Sequence, residues 1–321
     1  MVTVIRADNS NNGRENDENP QVRRIPCEAF VALAACAPEA PESSDAGRLE
    51  APEPTYAETT QLIDLVERAA AVVKTQGQEA CAEFKMEPGP WRQGDAYIFV
   101  NGASGTFLCS PPSPEIEGTE WINFQDVDGK RPVATMLERI SEEPGAAWVH
   151  YKWPRPGDPD GTPVWKSSYV VRVEDQSGED VMVGSGLYEM KTEKLFIVET
   201  VDAAADLVER VGTEAFVTLR DMASPFRYQD VYVFVHDQAG VQLVNPVFPE
   251  LEGTSLFDFQ DVNGKFVVQD TIAMLQDQDS GWIDYMWPKL GETSPSQKSS
   301  YVRKVQVGDD VLYVGAGVYG E

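Results

Sequence analysis

Lys166 stands in the segment YKWPRPGDPDGTPVWKSSYV, residues 151–170, and Lys298 in YMWPKLGETSPSQKSSYV, residues 285–302. Each segment opens on Tyr-x-Trp-Pro, crosses a polar loop containing proline and glycine, and closes on Lys-Ser-Ser-Tyr-Val. A lysine held among aromatic side chains is partly desolvated, and burial disfavours its charged form unless an anion lies close by. A carboxylate would restore the charge through a charge-assisted hydrogen bond. Tyrosine and serine hydroxyls would take its remaining lone pairs, and a tryptophan would wall the apolar end of the ligand. The chemistry offered is capture of a small organic anion. The same residues also fit an internal ion pair, in which Asp126 or Asp261 of an Asp-x-x-Gly-Lys turn neutralises the lysine and the aromatics are ordinary core.

Catalytic groupings are missing from the sequence. There is no Gly-x-Ser-x-Gly elbow, the two histidines His150 and His236 fall in separate segments, and Cys27, Cys36, Cys81 and Cys109 have no C-x-x-C spacing. Nucleophilic catalysis and a zinc or iron–sulfur site are therefore not expected, and neither is a cofactor. A formal charge of −27 repels phosphate backbones and argues against nucleic acid as a partner.

The elements that must position the lysines come twice. Tyr97-Ile-Phe-Val and Tyr232-Val-Phe-Val stand 135 residues apart, as do Glu117-Gly-Thr and Glu252-Gly-Thr, and Phe124-Gln-Asp-Val-Asp-Gly-Lys and Phe259-Gln-Asp-Val-Asn-Gly-Lys. The spacing falls to 134 at Trp153 and Trp287, to 132 at the two lysines and to 131 at Gly184 and Gly315. Deletions confined to loops are what two homologous domains would show. Each copy opens on a run rich in Ala, Leu, Val and Glu; Leu62, Leu65, Val66, Ala69, Val72 and Val73 recur at helical spacing. A long helix follows from this, broken or bent near Gly77 in one copy and Gly212 in the other. The remainder reads as short strands (AYIFV, TFLC, AAWVHYKW, SSYVVRVE, VMVGSGLY) between Gly, Pro, Asn and Asp turns. Each copy is therefore α+β. Cys81 and Cys109 correspond to Phe216 and Val244, so they read as two buried thiols, with a disulfide as the minority alternative.

The ordered set of motifs resembles the type 2 single Cache domain, an extracytoplasmic sensor module of bacterial receptors, present in tandem over roughly residues 55–321. The set runs through the aromatic strand, the Glu-Gly and Asp-x-x-Gly-Lys turns, Tyr-x-Trp-Pro, Lys-x-Ser-Tyr-Val and Val-Gly-x-Gly-x-Tyr. The resemblance implies two PAS-like domains, each a long N-terminal helix packed on an antiparallel sheet. It places a small-molecule pocket on each sheet, with short carboxylates as typical ligands. Carried over, ligand contacts would come from Tyr151, Trp153, Lys166, Ser168 and Tyr169 in copy one, and from Tyr285, Trp287, Lys298, Ser300 and Tyr301 in copy two. Where the family often has His-Pro, this chain has Ser110-Pro111 and Asn245-Pro246, which points to a different ligand preference. One pocket can be vestigial. Trp165, directly before Lys166, is either a pocket wall or a loop anchor. The glycines of Val183-Gly-Ser-Gly and Val314-Gly-Ala-Gly lie in terminal strands with no helix behind them and serve strand packing rather than a phosphate.

The expected boundaries are a leader over 1–53, a first Cache domain over 54–193 and a second over 194–321. In the leader, RRIPCEAFVALAAC (residues 23–36) has the outline of a secretory signal, and Leu33-Ala34-Ala35-Cys36 looks like a bacterial lipoprotein box, which would tether the protein by a lipid at Cys36. A start at Val22 would place that run at the N-terminus. A weakly apolar, disordered leader fits equally well. The stretch after Cys36, dense in Pro, Glu, Ser and Ala, suits an extended stalk. The expected function is a non-enzymatic extracytoplasmic binding or sensor protein for a small organic anion. The last strand runs to the end of the sequence, so the signal is expected to pass to a separate, membrane-bound partner protein. The alternatives are an interaction module with vestigial pockets and, less favoured, a hydrolase.

Overall fold

A computed structural model describes residues 52–158 and 161–320. The secretory run, the lipoprotein box and Cys36 lie outside the described residues.

Leu62, Leu65, Val66, Ala69 and Val73 form one buried stripe on α1 (Ala57–Gln76), as their three- and four-residue spacing dictates. Gly77, at φ 57°, ends the helix in a conformation that a residue without Cβ adopts at little cost. A single 3₁₀ turn then leads into α2 (Ala80–Phe84). In copy two, α4 (Lys194–Val211) ends at Gly212, φ 62°, before α5 (Ala215–Arg220). The expected breaks fall at the expected glycines.

The strands of copy one are β1 (Arg92–Gln93), β2 (Ala96–Tyr97), β3 (Phe99–Gly102), β4 (Phe107–Cys109), β5 (Ala146–Trp153), β6 (Val164–Glu174) and β7 (Asp180–Tyr188), with α3 (Pro132–Arg139) before β5. Copy two repeats them as β8 (Arg227–Tyr228), β9 (Val231–Tyr232), β10 (Phe234–Asp237), β11 (Gln242–Val244), α6 (Val267–Met274), β12 (Ser280–Pro288), β13 (Pro295–Val307) and β14 (Asp310–Tyr319). Each copy builds a five-stranded antiparallel sheet, in the order β4-β3-β7-β6-β5 and β11-β10-β14-β13-β12. The short helices α3 and α6 were not foreseen from the sequence.

Strand periodicity gives each sheet two faces. One face joins the long helices in a single apolar core that includes Leu65, Ala69, Val183, Phe196, Val201 and Val314, residues from both copies. The other face of each sheet has its own smaller core, with Phe99, Met136, Val149 and Tyr151 in copy one and Phe234, Ile283, Tyr285 and Tyr313 in copy two. α4 is apolar around most of its first two turns because it packs both on its own sheet and on copy one; Phe196 lies 4.6 Å from Trp148 between ring centroids.

Polar groups also join the copies. The buried carboxylate of Glu193 accepts hydrogen bonds from Thr55 N at 2.7 Å, Tyr56 N at 3.1 Å and Thr59 Oγ1 at 2.6 Å, fixing the start of α1 against the start of α4. Lys130 donates to the carbonyls of Ser224 and Arg227, and burial lowers its pKa to about 8. His150 stacks on Tyr228 with centroids 3.9 Å apart and is kept neutral by burial, its pKa lowered to about 3.

The cysteine expectation needs correction. Cys81 and Cys109 are joined in a disulfide, because α2 packs across β4 and brings their Cα atoms to 5.6 Å. Both positions do face the helix-side core, as Phe216 and Val244 do in copy two.

Candidate functional site

Along β6 the side chains of Lys166, Ser168 and Val170 point to one face and those of Trp165, Tyr169 and Val171 to the other. Lys166 is 1% exposed. Its Nζ donates to Tyr97 Oη at 2.9 Å and lies over the rings of Tyr97, Tyr188 and Phe99, 4.2, 5.2 and 5.7 Å from their centroids. Tyr151 Oη and Ser168 Oγ are hydrogen-bonded at 3.0 Å. Copy two reproduces the cage: Lys298 Nζ lies 4.1, 5.0 and 5.9 Å from the centroids of Tyr232, Tyr319 and Phe234, and Tyr285 Oη meets Ser300 Oγ at 2.9 Å.

Gly186 and Gly317 make room for this arrangement. A Cβ at Gly186 would collide with Ser168 Oγ and come within 2.7 Å of Lys166 Cε, and one at Gly317 would do the same to Ser300 Oγ and Lys298 Cε. Close strand packing therefore accounts for the Val-Gly-x-Gly pattern.

The internal ion pair does not form. Asp126 Oδ1 accepts the backbone N–H groups of Asp128 and Lys130, both at 2.9 Å, and its Oδ2 accepts Lys152 N at 2.8 Å. Asp261 binds Asn263, Lys265 and Met286 backbone groups in the same way. These carboxylates pin the Asp-x-x-Gly-Lys turns to β5 and β12. Among the described residues no carboxylate pairs with Lys166 or Lys298.

A cavity opens on the second face of each sheet. The one in copy one has a volume of about 440 Å³, mouth included, and is bounded by Tyr97, Phe99, Asn101, Tyr151, Trp153 and Lys166 on the sheet and by Val133 and Met136 of α3. The one in copy two is about 570 Å³ on the same measure, bounded by Tyr232, Phe234, His236, Tyr285 and Trp287 together with Val268 and Ile272 of α6. Of the ten residues expected at the ligand, Tyr151, Trp153, Lys166, Tyr285 and Trp287 line cavities. Ser168 and Ser300 do not line them, but bond the tyrosines that do. Lys298 lies over Tyr232 and does not line the second cavity.

Tyr169 and Tyr301 depart from the expectation altogether. They stand one residue out of phase with the lysines, face the long helices, and pack on Trp148 and Trp282 with centroids 5.3 and 5.5 Å apart. Trp165 is on that same face, with Lys152 Nζ 5.2 Å from its ring centroid, and serves as an anchor rather than a pocket wall. The sequence reading missed Tyr97, Phe99, Asn101 and Tyr188, and Tyr232, Phe234, His236 and Tyr319 in copy two. A signal for most of them was present, since residues 97, 99 and 101 alternate on one face of a strand.

Burial acts on both lysines. It lowers the pKa of Lys298 to about 7, with Asp230 working weakly the other way. At Lys166 burial likewise disfavours the charge, while ionised Tyr151 and Tyr188 beside it would raise the pKa. Burial, however, pushes the Tyr151 and Tyr188 phenols up, so near neutrality they carry no charge and do not supply that pull. His236 is held neutral by burial, its pKa lowered to about 4.

The Lys298 shift has a measurable sign. The unfolded chain keeps this lysine protonated until about pH 10.4, while the folded chain releases the proton near pH 7. The cost of the buried site is therefore fully present below pH 7 and fades as pH rises toward 10. Between pH 7 and pH 9 the wild type is expected to gain roughly 2 kcal/mol of stability over Lys298→Met, read from parallel urea unfolding curves. Identical pH profiles for the two proteins would show that Lys298 is not held near neutrality.

A family model for the Cache domain matches residues 87–218 and again 209–321. The chain belongs to the Cache-domain family. The methyl-accepting chemotaxis protein McpP of Pseudomonas putida is 31% identical over 144 residues, which cover 41% of this chain and 26% of that protein, so the match spans about a quarter of the relative's length. A Cache chemosensory domain solved in work on carboxylic acid recognition is 26% identical, covering 38% of this chain and 88% of its own with a TM-score of 0.33. A methyl-accepting chemotaxis protein from Vibrio parahaemolyticus is 28% identical, covering 37% and 80%, with a TM-score of 0.31. In Cache terms, each sheet carries its domain's long helix on one face and its cavity on the other.

Proposed function

We propose that this protein is an extracytoplasmic sensor built of two Cache domains, residues 54–193 and 194–321, that binds a short carboxylate in copy one and performs no catalysis. The observation carrying this reading is Lys166, a fully buried lysine at the wall of a cavity, with a phenol as its hydrogen-bond partner and no carboxylate beside it among the described residues. Such a site is costly when empty and is relieved by an anion. One carboxylate oxygen would accept from Lys166 Nζ and the other from the tyrosine hydroxyls, while Trp153 and Met136 would surround the apolar end. Lys298, over Tyr232 and outside the lining of its cavity, makes copy two the less anion-adapted pocket.

Similarity to part of a chemotaxis receptor supports the sensor reading and a location in the periplasm or at the cell surface. The Cys81–Cys109 disulfide supports the same compartment, since such bonds persist where conditions are oxidising. A membrane signalling partner, and a lipid anchor at Cys36, belong to the same proposal.

The test is thermal unfolding of the full chain against a panel of short carboxylates, amino acids and amines. A ligand at about 100 times its Kd is expected to add ~2.7 kcal/mol of stability. A panel in which no carboxylate raises Tm would sink the reading, and a stable protein partner in its place would favour an interaction module.

A further inference from the structure

The cavity that Lys166 lines is lined also by Asn101. That side chain is fully buried and lines the cavity, and neither Nδ2 nor Oδ1 of its amide meets a hydrogen-bonding group among the described residues. β3 and β4 slip out of register between Val100 and Asn101, the kind of bulge that re-aims a side chain. Tyr97 is already engaged with Lys166, and Tyr151 with Ser168, while Ser110 and Ser113 complete the polar lining. The polar amide on the rim of the second cavity is also satisfied, for Asn245 Nδ2 donates to Gln242 Oε1 at 3.4 Å and its Oδ1 accepts from Phe248 N at 2.9 Å. A buried amide with both ends unmet is costly to keep.

We propose that Asn101 is a specificity-determining residue of the copy-one pocket, and that the ligand it selects is a short carboxylate bearing a hydroxyl group. This rests on the anion reading above. A hydroxyl both donates and accepts, so one group answers both ends of the amide. An ammonium only donates, and would share a small cavity with the Lys166 cation. A second carboxylate only accepts, and would bring a second negative charge to a site with one cation. A plain alkyl carboxylate leaves Asn101 unmet.

The test is calorimetric titration of the full chain with two probe pairs, glycolate against acetate and lactate against propionate. Copy-one binding is the part of the signal that Lys166→Met removes. The wild type is expected to bind the hydroxylated member roughly tenfold or more tightly. Asn101→Leu should bring the ratio near one, chiefly by weakening the hydroxy acid, while the Tm of the unliganded protein holds or rises because an unmet polar pair is gone. Should the leucine variant not fold, Asn101→His, which carries the residue found at this place in copy two, reads the same ratio. Equal binding of the pair members by wild type, or a ratio that survives in the variant, overturns the role of Asn101 and leaves the anion reading standing. A variant that loses stability with its ratio unchanged marks Asn101 as structural. Binding of no probe overturns both.

Discussion

Lys166→Met is expected to weaken short-carboxylate binding to copy one at least a hundredfold, while the unliganded protein stays as stable as wild type or becomes more so. Removing one partner of a buried charge pair costs about 3–5 kcal/mol, which is roughly two to four orders of magnitude in Kd. Methionine keeps the length and much of the volume of the lysine stem, so the space that Gly186 leaves beside Lys166 Cε stays filled. The unliganded protein loses the bond to Tyr97 and the contacts of the amine with the Tyr97, Tyr188 and Phe99 rings, and is relieved of burying the amine. Lys298→Met is the matching control. Because Lys298 does not line its cavity, its replacement should change carboxylate affinity far less. Titration calorimetry and thermal unfolding of the two variants read both quantities. An unchanged Kd in Lys166→Met would remove Lys166 from the binding site.

Replacing Cys81 and Cys109 together by alanine is expected to cost roughly 3–4 kcal/mol and to lower Tm by about 10 °C. The bond closes a loop with a sequence separation of 28 residues, and releasing a loop of that length returns this much conformational entropy to the unfolded chain. A second cost comes from the space that alanine leaves in the helix-side core. Copy two shows how the same two positions are filled without a bond, by Phe216 and Val244. Cys81→Phe with Cys109→Val should therefore recover part of the loss. Calorimetric scans with and without a reductant separate the contributions: reductant should lower Tm in the wild type and leave both variants unmoved. A wild type insensitive to reductant would show that the bond contributes nothing.

Much of the architecture was legible because it depends on local periodicity. The stripe from Leu62 to Val73 specified α1 with its buried face, and Gly77 and Gly212 specified its end and that of α4, since a positive φ is cheap only without a Cβ. The repeated motifs specified two copies of one fold. α3 and α6 were hidden: at eight residues each they are too short for a strong helical pattern, and neither begins with a side-chain cap. Trp153 and Lys166 were recognised from composition and motif. Tyr169 and Tyr301, which the Lys-x-Ser-Tyr-Val motif puts at the ligand, lie on the helix side instead, because in a strand successive residues belong to opposite faces.

By itself, the sequence determined the composition of the site: two lysines among aromatics, each followed by two serines and a tyrosine, on two copies of an α+β unit. Those features rest on residue type and on spacings of two, three or four, which the chain carries locally. Tertiary structure alone decided the rest. It set Tyr97 and Tyr188, from strands 69 and 22 positions away from Lys166 along the chain, around one ammonium, and it turned Asp126 away to bind backbone N–H groups of its own turn and of β5. It also left Asn101 unmet beside the cavity and joined Cys81 to Cys109. Each of these depends on which distant strands and helices come to lie side by side, and that is fixed by the burial of the whole core rather than by any one segment.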